Sequence, residues 1–325
     1  MAAWCLPAPL ARLTARGVNV RTGLVTWLAG MTSVLVSLGL ACYFISRTLR
    51  ADWSQLTQTV CREVAGDACT PAVYGSAAYE LGLAAFCALA CCAAVVAAWR
   101  YGRRVHSARK QTRAHGQAAR IVGRALPGTG AVVLDDPRPA AYCAAGTIVV
   151  TSGALGVLDD DQLSAVLAHE RGHLRGRHHL LTLALRGLTA AFPGVPLFSR
   201  GPAEVARLAE MSADDTAART AGRPVLITAL IAIATGQAAR VPDSAFPDQS
   251  ASGRLIPGGA LSGDALSADV LPGGVLAAAA LAVQARVERL LHLPSRPRIV
   301  ADALSLTAIT VTLAALPLLI LALAG

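Results

Sequence analysis

The sequence predicts a mainly α-helical integral membrane protein, with three spanning helices set around an α+β domain that carries a small sheet. Three observations lead there. The 325 residues are 54% hydrophobic and only 15% charged, with a mean hydropathy of +0.51, too apolar for an ordinary soluble domain. Three long runs, Thr22 to Ile45, Ala77 to Trp99 and Leu304 to Gly325, carry no charge except Glu80. At 1.5 Å per helical residue each reaches across the ~30 Å of a bilayer's hydrocarbon. Between the second and third runs, β-branched and helix-periodic segments alternate, as in a folded domain rather than a bundle of spans.

The resulting plan is an N-terminal segment 1–21, a first span 22–45, an external loop 46–76, a second span 77–99, a domain 100–302 and a third span 303–325. Arg12, Arg16 and Arg21 precede the first span as in a signal peptide. Its apolar core is too long for that role and no small-x-small cleavage site follows, so a retained anchor is expected. Gly39-Leu40-Ala41-Cys42 matches a lipoprotein box only imperfectly.

Charge sets the orientation. Arg100, Arg103, Arg104, Arg109, Lys110, Arg113, Arg120 and Arg124 follow the second span without an acidic residue, and supply much of the net charge of +9. Positive-inside logic places the N-terminus and the domain 100–302 on the cytoplasmic side of a plasma membrane. Beside a span, such a run implies topology and attraction to anionic lipid rather than direct nucleic-acid binding. Cys61 and Cys69 fall in the external loop, where a disulfide is chemically allowed; Cys42, Cys87, Cys91 and Cys92 read as packing residues. There is no Cys-x-x-Cys pair for a metal, and Cys143 reads as a reduced thiol rather than a nucleophile.

Within the domain, Thr147 to Thr151 has strand composition. Asp159-Asp160-Asp161-Gln162 then offers an N-cap aspartate with glutamine three residues on, acidic side chains at the positive end of a helix dipole. Leu163, Val166, Leu167, Glu170 and Leu174 recur at helical spacing. On this helix lies His169-Glu170-Arg171-Gly172-His173. Histidines at i and i+4 share one face, so both imidazoles reach a single Zn²⁺, while the intervening glutamate stands beside the attacking water. The bland alternative is a solvated polar turn.

A catalytic zinc needs a third protein ligand and an open position. Glu210 and Asp214, again i and i+4, lie in a second helix, with Pro202 suited to its first turn and Gly222 to its C-terminal cap. Glu210 is the expected ligand, with Asp214 accepting the free N–H of a ligating histidine.

These motifs, with spans on both sides, resemble the membrane-embedded gluzincin peptidases: the BlaR1-type M56 family and the related M48 family of HtpX and Ste24 proteases. Ala141 to Gly146, then Thr147 to Leu155, then Asp161 through Glu170 and the basic Arg175 to His179, look closest to the short actinobacterial M56 proteins. Where M48 proteases often carry an asparagine before the strand, Ala141 stands here. The resemblance implies one Zn²⁺ per chain held by His169, His173 and Glu210, with Glu170 as general base and later proton donor. It also implies a substrate lying by main-chain pairing on the strand at Ile148, Val149 and Val150. His178 and His179 are oxyanion candidates.

The remaining segments are expected as a membrane-dipping hairpin over 179–198, a core helix over Pro224 to Gln237 and a flexible loop over 242–274. A helix follows near Val275 to Leu293, whose Arg286, Glu288 and Arg289 are expected in solvent. The hairpin follows from parity: one crossing between His173 and Glu210 would put the ligands on opposite sides of the membrane.

For function, the M56 resemblance implies regulated proteolysis of a protein substrate, a DNA-binding transcriptional repressor. β-Lactam sensing is disfavoured, because the external loop is short and holds no Ser-x-x-Lys. The alternatives are an M48-like quality-control protease for membrane proteins and a non-catalytic membrane scaffold or receptor.

Overall fold

The computed structural model describes residues 2–15, 19–65, 71–239, 273–292 and 296–324. It is mainly helical with one small sheet. Two short helices, α1 (Ala2–Cys5) and α2 (Pro7–Thr14), precede α3 (Val20–Ala65), α4 (Pro71–Val122) and, at the other end of the chain, α11 (Arg296–Ala324). Parts of these last three are long and apolar enough to cross a membrane: Val20–Arg47, Ala85–Val122 and Ile299–Leu319. The segment expected as an external loop is helical up to Ala65 and again from Pro71. Between Leu40 and Ala65 there is no glycine or proline to stop α3. Cys69 and residues 242–272 of the expected flexible loop lie outside the described residues, so the proposed Cys61–Cys69 pair does too.

The sheet contains β1 (Arg124–Leu126), β2 (Ala131–Leu134), β3 (Ala141–Ala144) and β4 (Thr147–Thr151), in the order β1-β2-β4-β3. β4 runs parallel to β2 and antiparallel to β3, so its backbone is paired on both sides. Its side chains alternate between two covered faces. Ile148 and Val150 pack with Leu167 of the motif helix, while Val149 packs with Ala119 of α4 and Ala144. This explains why every residue of the strand is buried.

After the short α5 (Ser152–Val157), Asp159 caps α6 (Asp160–Arg175) in a full capping box with Gln162. α7 (His178–Ala191), α8 (Pro196–Ala221), α9 (Arg223–Thr235) and α10 (Gly273–Leu291) complete the domain. α8 begins six residues before Pro202, which therefore sits inside the helix. Pro196 occupies the first turn instead, where a missing N–H costs nothing. Gly222 caps α8 with φ +87°, a left-handed value suited to glycine. α7 is one helix joined to α8 by a short turn, so the hairpin expected over 179–198 has α8 as its second arm. Gly187 of α7 presses on Tyr101 and Val105 of α4, so α7 lies along the part of α4 beyond the apolar run.

Two apolar clusters hold the helices together. Trp27, Met31, Phe198, Leu208 and Leu306 join α3 and α11 to α8. Ala165, Ala217, Leu226, Ile227 and Leu290 join α6, α8, α9 and α10. A direct Thr26–Thr310 hydroxyl hydrogen bond of 2.8 Å ties α3 to α11.

Candidate metal centre

α6 and α8 approach unusually closely at the motif. A Cβ added at Gly172 would stand 3.1 Å from the Cα of Ala213, so the glycine lets the two helix backbones meet. That contact brings the i, i+4 pair of one helix against the i, i+4 pair of the other. His169 Nε2 lies 3.1 Å from His173 Nε2. Glu210 Oε2 is 3.4 Å from the first nitrogen and Oε1 is 3.3 Å from the second. One donor atom from each residue falls within 4.8 Å of the others. Zinc bonds of ~2.0–2.1 Å at tetrahedral angles require donor separations of ~3.3–3.4 Å, so the donor set fits the ion in both chemistry and spacing.

Each histidine is held from behind, by different groups. His169 Nδ1 is 3.0 Å from Asp214 Oδ1, which is only 1% exposed. Burial opposes the charged form of His169, but the Asp214 and Glu210 carboxylates outweigh it and raise its pKa to about 9. Both carboxyls are held below the usual range: burial would raise them, and His169 with Arg286 or His173 overrides it.

His173 Nδ1 faces His178 Nδ1 at 2.9 Å. Burial, then the neighbouring His173, pushes His178 down to about 4. The positive φ of Arg177, +49°, starts α7 abruptly enough to fold His178 behind His173. His178 is thus buried against the far side of His173, His179 is exposed, and both line the cavity.

Glu170 is buried at the motif and lines a cavity of about 900 Å³ together with His169, His173 and Glu210. The lining also includes Tyr142 and Cys143 of β3, which packs against α6. The substrate strand therefore needs correction. Ile148, Val149 and Val150 are at most 4% exposed on a strand paired on both sides, whereas β3 is the sheet edge and borders the cavity. The Cys143 thiol donates to the Glu170 carbonyl at 3.3 Å, and burial pushes its pKa upward, unlike a nucleophile's.

Sequence reasoning missed one participant. Arg286, expected in solvent, reaches from α10 to both oxygens of Asp214, with Nε to Oδ2 at 2.9 Å, and stands 3.5 Å from Glu210 Oε2. Arg289, one turn on, grips both oxygens of Asp215 at 2.8 and 3.0 Å. No local signal marked these pairs, because without the fold nothing sets α10 against α8.

Comparison with known proteins agrees with this geometry over part of the chain. Residues 107–199 match the model of Peptidase family M48. A protease HtpX homolog of Acidiphilium cryptum (strain JF-5) is 33% identical over 97 residues, covering 27% of this chain and 34% of that protein. One of Tropheryma whipplei (strain Twist) is 34% identical over 71 residues, 20% of this chain and 24% of that protein. The chain thus spans about a third or less of the length of the curated relatives it matches. No solved structure matches significantly. These findings support an M48-related peptidase and point to a metalloprotease; they lend nothing specific to the M56 assignment. The M48 match includes His169, Glu170 and His173 but ends before Glu210, so the third ligand rests on the geometry above.

Proposed function

We propose that this protein is a membrane-bound, zinc-dependent endopeptidase of the HtpX-like kind, acting on membrane or membrane-proximal proteins from the cytoplasmic side. The observation that carries the reading is the convergence of His169 Nε2, His173 Nε2 and the Glu210 carboxylate beside Glu170 in a cavity bordered by a sheet edge. Zinc held there would supply Lewis acidity toward the scissile carbonyl and the attacking water. Glu170 accepts the water's proton as the oxygen–carbon bond forms, then returns it to the amine nitrogen as the carbon–nitrogen bond breaks. Asp214 orients His169 through Nδ1, and His178 does the same for His173. The outer edge of β3 pairs with the main chain of an extended substrate. Positive-inside charge along the second half of α4 supports the cytoplasmic orientation, and the three apolar helices support the membrane. The M48 match favours broad, quality-control proteolysis over the cutting of one repressor.

The test uses the purified full chain in nanodiscs with an unfolded membrane-protein substrate. Cleavage should require zinc, stop with a chelator and return on adding the metal, and Glu170→Ala should lose it while still binding zinc. Equal cutting by wild type and Glu170→Ala would remove this reading. In cells, mapping of new protein N-termini should show many membrane-protein fragments in wild type only; a single cut DNA-binding protein would restore repressor cleavage.

A further inference from the structure

The basic stretch after the second apolar run does two jobs, and the structure separates them. Arg100 and Arg103 lie on α4 just past its apolar run, where Arg103 covers the Trp99 ring at 4.7 Å and Arg100 meets the Ala190 carbonyl at the end of α7. This is an interfacial arrangement. Arg109 and Arg113 sit farther out on the same helix, ~15 Å and ~21 Å beyond Trp99 at 1.5 Å per residue. Headgroups add only ~5–8 Å to each side of the hydrocarbon, and charge attraction fades over ~8 Å at physiological salt. A usual tilt of ~20° shortens those heights by less than a tenth. Arg113 is therefore beyond the reach of headgroup charge, and Arg109 stands near its limit.

Both outer arginines line the 900 Å³ cavity that contains the metal ligands, and Arg186 of α7 joins them. None of the three makes a hydrogen bond or ion pair with any described residue. Among the described residues, the only acidic side chains in the cavity lining are Glu170 and Glu210, both part of the candidate metal centre. Arg286, the fourth arginine of the lining, is already held by Asp214. Among the described residues the cationic wall thus has no counter-charge, and it lies in the same cavity as the edge of β3 that would receive a substrate backbone.

We infer that Arg109, Arg113 and Arg186 form a specificity subsite for carboxylate side chains, so that the preferred substrates carry Asp or Glu within a few residues on one side of the scissile bond. Guanidinium groups favour this class because they bind carboxylates through paired N–H donors. The inference rests on the peptidase reading for its substrate, but binding tests it without turnover.

The experiment measures binding of a fluorescent peptide carrying a Glu pair, and of its Gln twin, to the full chain with Glu170→Ala in nanodiscs of neutral lipid. The Glu peptide should bind about tenfold more tightly, and Arg109→Gln with Arg113→Gln should bring the ratio close to one. Arg113→Lys should retain part of it. The same ratio in kcat/KM should appear in the chain with Glu170 intact. Equal binding of the two peptides, or a ratio unchanged by the double substitution, overturns the inference. So does a preference that appears only when anionic lipid is present, because the arginines would then serve the membrane. If the Glu peptide binds preferentially and neither peptide is ever cut, the subsite stands and the peptidase reading falls.

Discussion

The two histidines of the candidate metal site sit one turn apart on the same helix, yet the protein backs them differently. Behind His169 stands a buried carboxylate, Asp214, itself gripped by Arg286 from α10. Behind His173 stands a second imidazole, His178, from the first turn of α7. A carboxylate behind a ligating imidazole raises its basicity and fixes its tautomer; a neutral imidazole fixes orientation with little change in charge. The contrast teaches that one histidine is held by a charged pair, Asp214 of α8 with Arg286 of α10, the other by a polar contact to an imidazole at the start of α7.

Perturbations should rank accordingly. The largest effect belongs to the ligands: His169→Ala or Glu210→Ala should abolish stoichiometric zinc in the purified chain, read by elemental analysis, and proteolysis with it. Glu170→Ala should keep the zinc and lower kcat by about 10²–10⁴-fold, the usual worth of a positioned general base. Asp214→Ala should weaken zinc by about 10–100-fold, measured by competition with a fluorescent chelator. Arg286→Met removes the positive partner but leaves Asp214 in place, so a smaller loss of zinc affinity is expected, partly recovered by Arg286→Lys. His178→Phe should have the smallest effect, about tenfold at most, because no charge is lost. Should His178→Phe cost more than Asp214→Ala, the proposed division of labour between the two histidines is wrong.

A structural counterpart lies at Gly172. Gly172→Val should force α6 and α8 apart and lower zinc content and the unfolding midpoint together, whereas a change at the exposed Gly156, where an added Cβ meets nothing within 4 Å, should move neither by this route.

Much of this site was legible before any coordinates, for a physical reason. A helix repeats every 3.6 residues whatever surrounds it, so the spacing of His169 to His173 and of Glu210 to Asp214 places each pair on one face. The capping box at Asp159 and Gln162 and the glycine cap at Gly222 are equally local, and both appear in the structure. The choice of edge strand was not local. Thr147 to Thr151 has the composition of a strand covered on both faces, and reading it as an edge reversed the inference; β-branched density signals burial, while the open edge is the plainer Ala141–Ala144. Pro202 likewise suggested a helix start that Pro196 supplies instead.

By itself, then, the sequence determined what depends on short separations along the chain: the apolar runs, the motif helix with its cap, and the residue types that ligate zinc. Only the tertiary structure decided which distant groups meet. It set α10 against α8, turning Arg286 from a surface charge into the partner of Asp214; it tucked His178 behind His173; it put Arg109 and Arg113 on the wall of the metal-site cavity. Contacts between residues 72 apart, such as Arg286 and Asp214, depend on how whole helices pack, and no local periodicity encodes that.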